Sequence, residues 1–167
     1  MFKLKTSSID EKDLKILEVL QENSRLSFRR LAKKTGYSVA TVMSRIKKLE
    51  EIGIIKKYTV EIDYSKLGLD FPVIIDVRVS KGKLFEVEEE IAKDPHVLAV
   101  YDITGDFDVA ILAIFKTRKE LDKFVKELQK MKYVERTYTK LILNIIKETL
   151  GSDITKIIKT EESKSHI

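Results

Sequence analysis

The chain has 167 residues, 43% of them hydrophobic and 35% charged, enough apolar content to bury the core of one domain or of two small ones. It contains no cysteine, which excludes disulfides, zinc–thiolate sites and a thiol nucleophile. Its net charge of +5 is unevenly placed: residues 1–63 carry 14 Lys+Arg against 9 Asp+Glu, residues 64–167 carry 18 of each, and 25–57 holds 10 against 2. A polyanionic partner is therefore expected for the N-terminal part alone.

The start, MFKLKTSSIDEKD, turns acidic at once, unlike a signal peptide. No apolar run approaches the ~18 residues of a membrane span. A soluble, cytoplasmic protein without a membrane partner is expected. The 25 Lys and 16 Glu against two Asn and two Gln suggest a thermophilic origin.

Ser8 is placed to cap a first helix over Ile9–Glu22, whose buried side is Ile9, Leu14, Ile16, Leu17 and Leu20. Two short helices joined at Gly36-Tyr37 follow within Ser27–Ile55, capped by Ser27 and Ser38. In the second of them Val39, Val42, Ile46 and Leu49 form a stripe of 3.6-residue period, and Ala40, Thr41, Ser44, Arg45, Lys47 and Lys48 lie opposite. Small and hydroxyl residues backed by cations suit a helix in the DNA major groove. The backbone approaches base edges there while Arg and Lys reach phosphates. An ordinary solvated helix face is the plain alternative. Beyond Gly53, residues 55–64 alternate in the manner of a strand or small β-ribbon, which predicts a winged helix-turn-helix with Lys56 and Lys57 on the wing.

The charge balance changes near residues 64–71, read as a linker between a DNA-binding domain over 1–63 and a second domain over 72–147. Val73, Ile75, Val77 and Val79 alternate as a half-buried strand. A helix over 83–93 is stopped by Asp94-Pro95. Strands over 97–104 and 107–116 join at Gly105-Asp106, a helix follows over 118–131, and a final strand runs from Tyr133 to about Lys147. The order βαββαβ predicts an α+β fold with a ferredoxin-like second domain. Both helices then cover one sheet face. The other face, apolar along FDVAILAIF, calls for a partner, and a homodimer is the simplest. Residues 148–167 read as a polar tail, with at most one helical turn near Ser152–Ile158.

Signals for catalysis are weak, and no enzyme, metal site or cofactor is expected. His96 sits beside a proline in a turn, and no HExxH, P-loop, GxGxxG or GxSxG occurs. Tyr101 and Tyr138 suit either a pocket lining or half-buried strand positions. The run Thr104-Gly105-Asp106-Phe107-Asp108 is different. Its backbone N–H groups are suited to nest a carboxylate and Asp106 or Asp108 to answer an ammonium, which together fit a free amino acid. The alternative is that Gly-Asp merely makes the hairpin.

The run IDEKDLKILEVLQENSRLSFRRLAKKTGYSVATVMSRIKKLEEIGII, followed by TGDFDVAIL and VERTYTKLIL, resembles the leucine-responsive regulatory protein (Lrp/AsnC, feast/famine) family of transcription regulators. The resemblance spans about residues 8–147. It implies sequence-specific regulators of double-stranded DNA that dimerise through the second domain, often assemble into octamers, and in many members sense a free amino acid. It maps DNA contacts onto Ser38, Thr41, Ser44 and Arg45, with phosphate contacts expected from Arg29, Arg30, Lys33, Lys34, Lys47 and Lys48. It maps effector binding onto Gly105, Asp106 and Asp108, with Tyr138 and Thr139 on the later strand. Asp102 and Lys140 stand where the best-known leucine-responsive member is apolar, which points away from leucine towards a polar or charged effector. A DNA-compacting architectural protein is the main alternative, and a regulatory subunit of an amino-acid-metabolising enzyme a weaker one.

Overall fold

A computed structural model describes residues 9–148, which fall into two compact units, one of residues 9–61 with 147–148 and the other spanning Ile62–Ile146. The expectations for Ser8 and for the tail beyond residue 148 lie outside the described residues.

The first unit is three helices: α1 (Glu11–Glu22), α2 (Phe28–Thr35) and α3 (Val39–Glu51). Asp10 caps α1 in a capping box, its carboxylate accepting from the Asp13 N–H while the Asp13 carboxylate accepts from the Asp10 N–H. Ser27 and Ser38 cap α2 and α3 as their spacing predicts. Gly36 ends α2 at φ +79°, a left-handed conformation open to glycine at little steric cost. Ile16, Val19, Leu20, Leu31, Ala32, Val42 and Ile46 pack into one core. Val39, expected in that stripe, is instead 39% exposed.

The ribbon expected over 55–64 is absent. Residues 55–63 join no strand ladder, and Tyr58, Val60 and Ile62 are exposed. Alternation gives a segment an extended preference, but a strand needs a second strand to receive its backbone groups. The segment is tied by the Tyr58 hydroxyl, which donates to Glu50 Oε1 at 2.8 Å.

In the second unit a short 3-10 turn, Ser65–Leu67, leads into β1 (Phe71–Val79), α4 (Leu84–Ile91), β2 (Val97–Asp102), β3 (Val109–Phe115), α5 (Arg118–Lys130) and β4 (Val134–Leu141). The strands form one antiparallel sheet in the order β2-β3-β1-β4, the ferredoxin-like arrangement. β4 ends at Leu141, six residues short of expectation. Beyond it the Ile142 N–H still bonds the Pro72 carbonyl. The core is the helix-covered face: Val73, Ile75, Val77, Val109, Ile111, Ala113 and Phe115 against Val87 and Ile91 of α4 and Phe124 and Leu128 of α5. On the opposite face lie Ile74, Leu112, Ala110, Tyr101 and Tyr138, beside an ion pair between Asp76 and Lys140. Opposite Arg78/Val79 the register of β4 shifts by one residue, a β-bulge at Glu135.

Candidate DNA-binding surface and effector pocket

α3 presents two chemically different sides. Its buried side is Val42, Ile46 and Leu49. Its outward side is Val39, Ala40, Met43, Ser44 and Lys47, all exposed and related by helical i,i+4 spacing. Sequence periodicity put Arg45 and Lys48 on the outward side, and the structure turns both towards α1. Asp13, fully buried, receives Lys48 Nζ at 2.8 Å and Arg45 Nη1 at 3.3 Å, and Arg45 also reaches Asp10 at 2.5 Å. The Asp13 N–H, with Arg45 adding to it, holds the Asp10 carboxyl below the usual carboxylate range. A buried carboxylate needs countercharge, and these two cations supply it. Arg45 is therefore a clamp between α1 and α3, not a group extended for reading bases.

Ser38 and Thr41 are likewise engaged. Ser38 Oγ accepts from the Thr41 N–H at 3.1 Å and lies 2.8 Å from Thr41 Oγ1. Among the expected base contacts Ser44 stays on the outward side. Arg29, Arg30 and Lys33 of α2 are exposed. Lys34 pairs with Glu22 at 3.2 Å and Lys47 with Glu51 at 3.7 Å, both pairs well solvated and therefore weak.

In the second unit a pocket of about 600 Å³ is lined by Arg78, Asp106, Phe107, Glu135, Arg136 and Tyr138. The bulge makes it possible: one extra residue on β4 brings Glu135 and Arg136, adjacent in sequence, to the same place. The six residues between β2 and β3 close with the Ile103 N–H on the Asp108 carbonyl, and Gly105 sits at φ +125°. This loop is wider than the tight Gly-Asp turn expected. Asp108 does not face the pocket as a free acid. Its carboxylate accepts the Val79 N–H at 2.8 Å, lies 3.8 Å from Arg78 Nε, and so ties the loop to β1. Arg78 also donates to the Asp106 carbonyl. Arg136 lies over the Phe107 ring at 5.9 Å, and Phe107 stacks near Tyr138 at 6.3 Å. Among the described residues neither the Asp106 carboxylate nor the Arg136 guanidinium has a salt-bridge partner.

Of the six expected effector residues Asp106 and Tyr138 line the pocket, Gly105 and Asp108 lie in the adjoining loop outside its lining, and Asp102 and Thr139 lie elsewhere. Asp102 pairs with Val109 and Thr139 with Ile75, both on the helix-covered side, whereas Tyr138 pairs with Asp76 on the open side. Side chains alternate along a strand, so Tyr138 and Thr139 cannot share a face. Asp102 acts instead on Glu88, whose carboxyl is pushed up by burial and by that neighbouring acid. Arg78, Glu135 and Arg136 were not expected at the site. Arg78 had a sequence signal as an outward residue in an alternating strand, but the bulge that gathers the others has none.

Comparison with known proteins agrees with this division. A winged helix-turn-helix DNA-binding model matches residues 9–56, and an Lrp/AsnC ligand binding domain model matches 72–151. An uncharacterised HTH-type transcriptional regulator of Pyrococcus furiosus is 44% identical over 84% of this chain and 95% of its own length. The regulator FL11 of the same organism is 36% identical over 84% of this chain and 93% of its own. Among solved structures, a Neisseria meningitidis transcriptional regulator in complex with L-Met has a TM-score of 0.79 at 30% identity, covering 85% of this chain and 94% of that one. Escherichia coli AsnC has a TM-score of 0.78 at 26% identity, covering 85% and 97%.

Proposed function

The chain belongs to the Lrp/AsnC family of DNA-binding transcription regulators, and from that premise we propose how its two units divide the work. We assign residues 1–63 to DNA, 64–71 to a linker, and 72–147 to effector binding and self-association. α3 enters the major groove, with Ser44 at the bases and Lys47, Arg29, Arg30, Lys33 and Lys34 on flanking phosphates. Arg45, Lys48, Ser38 and Thr41 serve to hold α3 in place. A homodimer forms through the open sheet face, and two α3 helices then read half-sites about one helical turn apart, ~10 bp.

The effector is a free amino acid in the pocket on the second unit. Arg136 takes its carboxylate, Asp106 takes its ammonium, and Phe107 and Tyr138 flank its side chain. The observation that supports this best is that Arg136 and Asp106, neither of them in a salt bridge among the described residues, line the same pocket, so that a zwitterion can answer both charges. The L-Met bound to the Neisseria relative is consistent with it.

The test is a melting-temperature screen of the twenty amino acids, since a ligand of the native state must stabilise it. One of them should raise the melting temperature of the wild type, and Arg136→Ala and Asp106→Ala should each remove that shift. A shift unchanged in both variants would place the site elsewhere. Binding to the region upstream of its own gene, compared with random DNA at two salt concentrations, separates regulator from compaction protein. A ratio near one supports compaction.

A further inference from the structure

The first two turns of α3 present outward none of the side chains that read purines. Bidentate recognition of guanine uses Arg or Lys and that of adenine uses Asn or Gln. The helix Val39–Glu51 has no Asn or Gln, and its one arginine, Arg45, is held by Asp10 and Asp13. Lys47 lies in its third turn, past the N-terminal residues that meet base edges in a helix-turn-helix. The first two turns instead expose Val39 (39%), Ala40 and Met43 (49%), with Ser44 beside them. Three apolar residues left in water on a helix otherwise well packed call for an apolar surface to meet. In the major groove the apolar feature is the C5-methyl group of thymine.

We infer that α3 reads its operator through thymine methyl groups, with Met43 at the centre of the contact, Val39 and Ala40 beside it, and Ser44 as the hydrogen-bonding group. This rests on α3 being the helix that enters the groove. Met43 suits the role because its unbranched, polarisable side chain adapts to small irregularities in the surface it covers. Specificity then comes from methyl position and from the shape of A·T-rich DNA, and little of it from guanine.

The experiment selects duplexes from a random library with the full-length protein, then re-measures the best sequence with single thymines replaced by uracil or single guanines by 7-deazaguanine. Uracil lacks only the methyl. Each contacted methyl is worth about fourfold in affinity, the equivalent of ~0.8 kcal/mol of apolar transfer. The expected result is T-rich half-sites, a loss of about fourfold at two or three uracil positions, and little effect of 7-deazaguanine. Met43→Ala should erase the uracil effect at one position, and Met43→Leu should keep it. Since Met43 is exposed, both variants should melt with the wild type. Wild-type affinity for a fully uracil-substituted operator, or a tenfold loss on one 7-deazaguanine, would overturn the inference. Failure to enrich any sequence would instead bring down sequence-specific reading itself, and this inference with it.

Discussion

Replacing Asp13 by alanine should loosen α3 without changing any side chain proposed above to contact DNA. Three interactions go at once: the bond from Lys48 at 2.8 Å, the longer one from Arg45 at 3.3 Å, and the half of the α1 capping box that receives the Asp10 N–H. A hydrogen bond to a charged group contributes about 1.5–3 kcal/mol and a cap about 1 kcal/mol. Against this stands the desolvation cost of the buried carboxylate, which disappears with it. The cations left behind are partly exposed and regain water, so no unpaired buried charge remains. The net loss should be about 2–3 kcal/mol, a factor of roughly 30–150 in the folding equilibrium of the helical unit. Urea unfolding followed by helical circular dichroism measures it. Guanidinium is unsuitable, because its salt screens the interactions under test. A double-mutant cycle with Lys48→Ala should return a coupling of at least ~1 kcal/mol. A coupling near zero, or an Asp13→Ala midpoint equal to that of the wild type, would refute the clamp. Binding to selected and random DNA should weaken together, because what is lost is the seating of α3 and not a base contact.

The other predictions concern surfaces. Partial desolvation of the phenol and the Glu50 carboxylate push Tyr58 up to about 12, so an ultraviolet titration should show a tyrosine ionisation near that pH, and Tyr58→Phe should remove it. Because its folded pKa lies above its unfolded one, its contribution to stability is whole below pH ~10 and is lost as the pH rises through 12. A variant with Arg29, Arg30 and Lys33 changed to Gln should flatten the slope of log affinity against log salt by about 0.9 for each phosphate contact removed; an unchanged slope would take these residues off the DNA. Leu112→Glu, on the open sheet face, should lower the particle mass measured by light scattering, and an unchanged mass would assign self-association to another surface.

Periodicity was enough to locate five helices and four strands, because each buries one face against a core within its own unit. It failed where the deciding group is distant in sequence. Arg45 and Lys48 look outward on a helical wheel, and only the fold brings Asp13, 32 and 35 residues earlier, up against them. The 55–64 segment has the right alternation, yet a ladder needs a second strand that this unit does not offer. Thr139 is a different case. Strand alternation alone separates it from Tyr138, and mapping by family resemblance overrode that simple parity. The Glu135 bulge has no marker such as glycine, so nothing in the sequence signals the gathering of Arg136 with Asp106 and Phe107.

The sheet order has a consequence for how such a molecule is put together. β1 and β4 are neighbours and antiparallel, with Val73 opposite Leu141 and the Ile142 N–H on the Pro72 carbonyl. The chain therefore enters the second unit and leaves it at the same end, one strand spacing apart, about 4.8 Å. Excising Phe71–Ile142 would leave two chain ends close enough to be bridged by a short link, so this unit is suited to insertion inside another domain as well as to attachment after one.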